Sequence, residues 1–221
     1  MTGACFSLVV LRVAAISVPS AAQSSARPKI VALGDSLTSG QGIGPEHAYP
    51  ALLQQRVDAA GLEYTVVNAG VSGDTSTGAQ RRFERALEGD VRILIVALGA
   101  NDGLRGVAVD RLKENLSRII ETAQARGIAV LLCGMEALPI HGWDYSVAFH
   151  NAYRDVAARY KVPLVPFILF NVIGNPELMQ PDRAHPNTAG QRAIAEKIWP
   201  YLERLLPARD PVGVQRRMFP E

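Results

Sequence analysis

Five short apolar runs, separated by segments with helical spacing, constrain the fold of this chain more than any other feature. The runs are 29–33, 64–68, 92–98, 128–133 and 163–166. Their almost continuous Val, Ile and Leu content is typical of parallel strands covered on both faces. Between and after them, apolar residues recur at helical spacing over 49–60, 112–123 and 194–205. This alternation predicts an α/β protein with a doubly wound, five-stranded parallel sheet.

Local signals at the ends of the periodic segments predict where several helices begin and end. Gly61 and Gly127 are expected to stop the first two periodic helices, and Asp110 to cap the second. Asn187 is expected to begin the last helix, and a further helix to begin near Ser146.

Composition and charge argue against a nucleic-acid partner and against a bound metal. The chain has 221 residues, 48% of them hydrophobic, which is enough for one well-buried core. The formal charge is +2, and acidic and basic residues are mixed along the chain. Since no basic cluster is interleaved with aromatic residues, we expect no nucleic-acid partner. The four histidines show no metal-ligand spacing, so we expect no metal.

The first thirty residues differ in character from the rest. Residues 4–11 and 13–18 are apolar, and Ser20-Ala21-Ala22 offers small residues for cleavage. This pattern predicts a signal peptide over 1–22, a linker over 23–28, one domain over 29–206 and a tail over 207–221. Arg12 and Pro19 interrupt the apolar stretch, which argues against a stable membrane span. We expect a periplasmic or secreted protein; an uncharged disordered N-terminal tail is the alternative.

The two cysteines are Cys5 and Cys133. Removal of the leader would leave Cys133 alone, without a partner for an intrachain disulfide. Because Cys133 ends an apolar run, the simplest interpretation is a small buried hydrophobic residue rather than a nucleophile.

Four polar segments follow apolar runs or lie near the end of the chain. They are Gly34-Asp35-Ser36-Leu37, Ser72-Gly73-Asp74, Gly99-Ala100-Asn101-Asp102 and Asp182-Arg183-Ala184-His185. The first three each come just after a predicted strand. Because ligands bind beyond the carboxyl ends of parallel strands, we expect these three segments on one edge of the sheet.

Together the segments contain the groups that acyl transfer requires. Serine is a weak nucleophile unless a base accepts its proton, and His185 is the candidate base for Ser36. Asp182, three residues before His185, can hold the imidazole in the required tautomer. Taken alone, a serine after a glycine is usually a turn residue, and Asp-x-x-His is often a loop arrangement. The joint occurrence of the four segments favours catalysis.

Three of the segments offer hydrogen-bond donors for an oxyanion. Gly73 has no side chain, so a substrate oxygen can approach its backbone N–H. The Asn101 amide is a second candidate donor and the Ser36 backbone N–H a third. We expect Asp35, Asp74 and Asp102 to shape loops rather than to perform chemistry.

Two other motif interpretations fit poorly. Gly40-Gln41-Gly42-Ile43-Gly44 resembles a phosphate-binding loop, but such loops follow the strand directly and open a helix. The nucleophile elbow of α/β-hydrolases requires Gly-x-Ser-x-Gly, whereas position 38 is Thr.

With these segments in place, the chain resembles the SGNH (GDSL) hydrolases, within them the secreted bacterial arylesterase, acyl-CoA thioesterase I and lysophospholipase L1 group. Residues 34–38, 68–75, 99–103 and 182–187 are similar to the four family blocks. The resemblance implies a three-layer α/β/α, flavodoxin-like fold and hydrolysis through an acyl-enzyme without a cofactor. It places the family nucleophile at Ser36, the oxyanion residues at Gly73 and Asn101, and the acid and base at Asp182 and His185. Arg183-Ala184 departs from the Gly-Ile that relatives commonly carry there.

The substrate is less constrained than the reaction. Leu138, Pro139 and Ile140 follow the fourth strand and could line an acyl pocket, although packing on the sheet edge explains them equally well. We expect a serine esterase acting on a small acyl ester or thioester. Lysophospholipid hydrolysis, carbohydrate deacetylation and non-catalytic binding of lipid or carbohydrate are the alternatives. Sequence does not indicate the oligomeric state.

Overall fold

The computed structural model describes residues 27–207, so the predicted leader over 1–22 and the tail beyond Pro207 lie outside the described residues. Five strands form one sheet in which every pair is parallel, in the order β2-β1-β3-β4-β5. The strands are β1 (Lys29–Gly34), β2 (Thr65–Gly70), β3 (Val91–Ala97), β4 (Ala129–Cys133) and β5 (Leu164–Val165). The predicted five-stranded parallel sheet is confirmed.

Seven α-helices connect and follow these strands within the described part of the chain. They are α1 (Ser36–Ser39), α2 (Tyr49–Ala59), α3 (Ser76–Ala86), α4 (Ala100–Arg105), α5 (Val109–Ala125), α6 (Trp143–Tyr160) and α7 (Thr188–Glu203). One-turn 3₁₀ helices lie at Pro45–His47, Pro139–His141 and Pro176–Leu178. Among residues 27–207, none of the helices combines the length and the apolar composition that crossing a bilayer demands.

The helices form two layers around the sheet. Helix α2 packs against α7, whereas α3 and α6 both pack against α5. Strand β1 pairs with both β2 and β3, so the chain reverses its direction of winding between β1 and β3. In a doubly wound sheet the crevice at this reversal is where ligands bind. Ser36 follows β1 and Asn101 follows β3, so both residues lie at that crevice.

The core consists of the strand interiors and the apolar faces of the helices. Ile30 to Leu33 on β1 and Leu94 to Ala97 on β3 are fully buried. This explains why these runs lack the alternation of a half-exposed strand. Helix α5 buries the face formed by Leu112, Leu116, Ile119, Ile120 and Ala123, as its periodicity predicts.

Some element boundaries differ from the sequence predictions. The N-cap of α5 is Ala108 rather than Asp110, and Asp110 lies inside the first turn, where a carboxylate is also favoured. Helix α6 begins at Trp143 rather than near Ser146, because Gly142 adopts φ +94° and separates it from the preceding 3₁₀ turn. The predicted start of α7 at Asn187 is confirmed: its side chain accepts a hydrogen bond from the Gly190 N–H.

Candidate active site

Ser36 is the first residue of α1, at the carboxyl end of β1. Asp35 caps this short helix, its carboxylate accepting a hydrogen bond from the Leu37 N–H at 3.0 Å. A side chain at position 34 would clash with the Thr38 side chain and the Ala97 carbonyl, so glycine lets the turn pass close to β3. Gly40 ends the helix in the left-handed conformation. The turn thereby presents Ser36 at the edge of the sheet.

The Ser36 hydroxyl lies within hydrogen-bonding distance of His185. Ser36 Oγ is 3.1 Å from His185 Nε2, although the two residues are 149 positions apart. On the other side of the ring, His185 Nδ1 is 2.7 Å from Asp182 Oδ2. The structure therefore brings the three predicted residues into one hydrogen-bonded chain. This is the arrangement in which a base can accept a serine proton while a carboxylate orients the base.

The loop that carries Asp182 and His185 is held by several backbone interactions. Asp182 Oδ1 accepts hydrogen bonds from the backbone N–H groups of Ala184 and His185, each at 3.0 Å. The Gln180 N–H donates to the His185 carbonyl at 2.8 Å, and Arg183 adopts φ +56° to complete the turn. These contacts explain how an acid and a base only three residues apart can face each other.

The charge state of Asp182 follows from its hydrogen bonds. The bond to the His185 ring, with those from the His185 and Ala184 N–H groups, lowers the pKa of Asp182 from 3.8 to about 2. The carboxylate is therefore ionised at neutral pH. In this form it can accept a hydrogen bond from His185 Nδ1–H and so orient the imidazole.

Gly73 and Asn101 lie at the same edge of the sheet. Gly73 is exposed in the loop after β2 with φ +77°, a conformation that favours glycine. Asn101 is in the first turn of α4, and its Nδ2 donates to the Asp74 carbonyl at 2.9 Å. Ser39 Oγ, on the helix of the nucleophile, is 2.8 Å from Ser72 Oγ beside Gly73. These contacts link the two donor-bearing loops to each other and to α1.

The three candidate substrate-binding residues lie at the start of the 3₁₀ turn between β4 and α6: Leu138 precedes the turn, and Pro139 and Ile140 are its first two residues. Leu138 and Ile140 are 56% and 61% exposed, and Pro139 is exposed as well. They do not pack into the core, which removes one reason for their apolar character. An apolar cavity of about 840 Å³ lies separately, between α6 and α7, and is lined in part by Met135, Phe167 and Phe170.

Cys133 is fully buried at the end of β4, as predicted. Burial raises the pKa of its thiol well above the ordinary value, because the thiolate would lose its solvation. Within residues 27–207, Ser36 is therefore better placed than this thiol to act as a nucleophile.

Sequence reasoning does not identify Arg82, which contacts the loops of the site from α3. Its Nε donates to Asp74 Oδ2 at 2.7 Å, and its two other nitrogens donate to backbone carbonyls at the ends of β1 and β2. The signal in the sequence is weak, since Arg82 follows another arginine on a largely polar helix. Only the fold shows that one of these two arginines points toward the site.

Comparison with known proteins shows which family the chain belongs to. The profile of the GDSL-like Lipase/Acylhydrolase family matches residues 32–193. The chain is 40% identical over 185 residues to Esterase TesA of Pseudomonas aeruginosa, covering 83% of this chain and 92% of that protein. It is 36% identical over 178 residues to an Arylesterase of Vibrio mimicus, covering 80% and 89%.

Solved structures show the same likeness. The crystal structure of TesA superposes with a TM-score of 0.77 at 41% sequence identity, covering 80% of this chain and 99% of that one. The family match spans most of the domain and includes the segments that carry Ser36, Gly73, Asn101, Asp182 and His185. The chain therefore belongs to the GDSL-like lipase/acylhydrolase family.

Proposed function

We propose that this protein is a serine esterase that hydrolyses carboxylic esters through an acyl-enzyme formed on Ser36. Membership of the family and the esterase and arylesterase relatives support ester hydrolysis. The observation that carries the assignment of residues is the continuous path from Ser36 Oγ through His185 to Asp182, with separations of 3.1 and 2.7 Å.

In the acylation step, His185 Nε2 accepts the Ser36 proton as Oγ attacks the ester carbonyl carbon. Asp182 holds the proton of the imidazole on Nδ1, which leaves Nε2 free to act as the base. The carbonyl oxygen becomes an oxyanion, and the N–H groups of Ser36, Gly73 and the Asn101 amide donate to it. The intermediate then expels the alkoxide, which takes the proton from His185, and the acyl group stays on Ser36.

Deacylation repeats these steps with water as the nucleophile. His185 removes a proton from water as its oxygen attacks the acyl carbon, and the same donors stabilise the second oxyanion. Collapse breaks the bond to Ser36 Oγ, which regains the proton from His185. The products are a carboxylic acid, an alcohol and the unchanged enzyme, so no cofactor is required.

Replacement of Ser36 by alanine tests this assignment directly. With p-nitrophenyl acetate, we expect Ser36→Ala to lose nearly all release of nitrophenol, because only the oxyanion donors and substrate binding remain. Ser117→Ala on α5 is the control and should keep the wild-type rate. Equal rates for Ser36→Ala and the wild-type protein would refute the mechanism.

The exposed apolar residues after β4 support a contact with the acyl chain. We expect Leu138, Pro139 and Ile140 to cover the carbons next to the ester, since each contributes apolar surface that nothing in the described residues buries. A panel of aryl esters, acyl-CoA, lysophospholipid and acetylated sugar separates arylesterase activity from thioesterase, lysophospholipase and deacetylase activities. A preference for acetylated sugar would contradict a role for these residues in binding an acyl chain.

Export is proposed from the composition of residues 1–22 alone. Apolar residues followed by Ser20-Ala21-Ala22 are typical of a cleavable leader. Expression of the full chain in a bacterial host, followed by mass spectrometry of the periplasmic and medium fractions, tests this. We expect a protein that begins near Gln23; recovery of the uncleaved chain from the cytoplasm alone would contradict export.

A further inference from the structure

One guanidinium connects three backbone segments beneath the candidate oxyanion site. Arg82 on α3 donates from Nη2 to the Gly34 carbonyl and from Nη1 to the Ala69 carbonyl, each at 2.9 Å. Its Nε donates to Asp74 Oδ2 at 2.7 Å. Gly34 ends β1 just before the nucleophile turn, Ala69 lies near the end of β2, and Asp74 follows Gly73. Arg82 therefore ties the nucleophile turn to the loop that carries Gly73.

Asp74 is in turn connected to both donors that lie outside the nucleophile turn. It is the chain neighbour of Gly73, and its carbonyl oxygen accepts a hydrogen bond from Asn101 Nδ2 at 2.9 Å. An amide nitrogen carries two hydrogens, so engagement of one fixes the direction of the other. A shift of Asp74 would therefore move the Gly73 N–H and release the Asn101 amide at once.

We propose that Arg82, acting through Asp74, is a positioning residue for the oxyanion donors Gly73 and Asn101. This inference rests on the proposed function, because Arg82 can affect catalysis in this way only if an oxyanion forms beside Gly73 and Asn101. Arg82 does not touch the reacting atoms. It holds two donors at the distance and direction that the transition state requires.

The physical chemistry of the pair suits this role. A guanidinium presents its donors in a rigid planar fork, whereas a lysine ammonium is a single point charge on a flexible stem. The side chains of Arg82 and Asp74 are 28% and 11% exposed, so water screens their ion pair less than a surface pair. The Val71 N–H also donates to the Gly34 carbonyl, at 3.1 Å. Loss of Arg82 therefore need not separate this loop from β1.

Steady-state kinetics of Arg82 variants separate positioning from binding. We expect Arg82→Ala to lower kcat for p-nitrophenyl acetate by roughly 10²-fold with KM changed by less than about 3-fold, because misplaced donors weaken the transition state more than the bound ester. Arg82→Lys should recover only a small part of the loss. Arg81→Ala, which replaces the exposed arginine next to it on α3, is the matched control and should keep the wild-type kcat.

A double-mutant cycle with Asn101→Ala tests whether Arg82 acts through the oxyanion donors. If it does, Arg82→Ala should reduce kcat far less in the Asn101→Ala background than in the wild-type protein. The proposal would be overturned if the fold-decrease in kcat of the double variant equalled the product of the fold-decreases of the two single variants. A wild-type kcat for Arg82→Ala would also overturn it. If Arg82→Ala does not fold, as judged by its melting temperature, Arg82→Lys and Asp74→Asn take its place in the same cycle.

The same assay distinguishes failure of this inference from failure of the proposed function. A Ser36→Ala variant with wild-type activity would remove the serine mechanism, and the positioning role with it. Loss of activity in Ser36→Ala and Asn101→Ala, combined with full activity in every Arg82 variant, would remove the positioning role alone.

Discussion

Ser36 and His185 show how little of the site is local in sequence. The hydroxyl belongs to the first turn after β1 and the imidazole to the loop before α7, 149 positions later, yet the two side chains approach to 3.1 Å. Asp182, by contrast, reaches His185 across a single turn and accepts backbone hydrogen bonds from Ala184 and His185. The acid and base form a local unit, and the fold brings this unit to the nucleophile.

Asn101 is expected to contribute to the rate of ester hydrolysis. We predict that Asn101→Ala lowers kcat by roughly 10²–10³-fold, because one preorganised donor to the oxyanion is lost. Kinetics with p-nitrophenyl acetate measure this effect, and circular dichroism checks that the fold is kept. An unchanged kcat would show that the amide does not donate to the oxyanion.

Asp35 is a buried acid beside the nucleophile. It is fully buried, and its Oδ2 has no hydrogen-bond partner among the described residues. Burial raises its pKa from 3.8 to about 6, and the nearby Asp102 and Asp74 carboxylates act in the same direction. The hydrogen bond from the Leu37 N–H lowers the pKa but does not offset these effects. Between these two values the native protein keeps a proton that the unfolded chain has lost. The contribution of Asp35 to the free energy of unfolding therefore falls as the pH rises from about 4 to 6.

Because charging Asp35 destabilises the native state, its replacement by asparagine should change how stability depends on pH. Above about pH 6 Asp35 is charged in both states, and the cost to the native state is on the order of 3 kcal/mol. Since asparagine does not titrate, the unfolding free energy of Asp35→Asn should rise relative to the wild type between pH 4 and 7. Denaturant unfolding at several pH values measures the difference. Asp90→Asn, in an exposed pair with Arg92, serves as the control; a difference for Asp35→Asn that stays flat with pH would contradict the assignment.

Helix α5 illustrates the element scale, since its stability comes from one buried face. Leu116 is fully buried on that face, whereas Arg118 is exposed on the other side. We predict that Leu116→Ala lowers the unfolding free energy by about 2–5 kcal/mol, because it removes buried methyl groups and leaves a cavity. Arg118→Ala should change it by less than about 0.5 kcal/mol. Urea unfolding monitored by circular dichroism measures both, and equal effects would contradict the described packing.

Across the whole molecule, Gln191 joins elements that are far apart in sequence. Its Oε1 accepts from the Tyr49 N–H at 2.9 Å, and its Nε2 donates to the Leu37 carbonyl at 3.0 Å. This one buried side chain on α7 therefore satisfies backbone groups of both α2 and α1. Helix α7 follows directly after the His185 loop, so the contact also helps to place that loop over the nucleophile turn.

Loss of this amide should be costly. We predict that Gln191→Met lowers the unfolding free energy by about 2 kcal/mol or more, because a buried N–H and a buried carbonyl lose their partners. The melting temperature and urea midpoint measure the effect. Gln124→Met provides the comparison, since Gln124 donates to the Tyr160 carbonyl at an exposed position. Equal stability of the two variants would show that the buried bonds contribute little.

Much of the fold is predictable because its signals are local. The five strands and the buried faces of α2, α5 and α7 follow from the period of apolar residues. Helix α3 is not predicted, because it buries only Ser76, Ala79 and Phe83 and the rest of its surface is polar. The shift of the start of α6 to Trp143 depends on the conformation of Gly142, which periodicity does not indicate.

The amino-acid sequence by itself determined the alternation of strands and helices, the family and the identity of five candidate site residues, because each depends on a local period or a short motif. Only the tertiary structure decided that Arg82 rather than Arg81 joins β1, β2 and Asp74, and that Asn101 donates to the Asp74 carbonyl. The physical reason is that these bonds depend on where neighbouring parallel strands end in space. That relation involves residues far apart in the chain and leaves no local pattern among them.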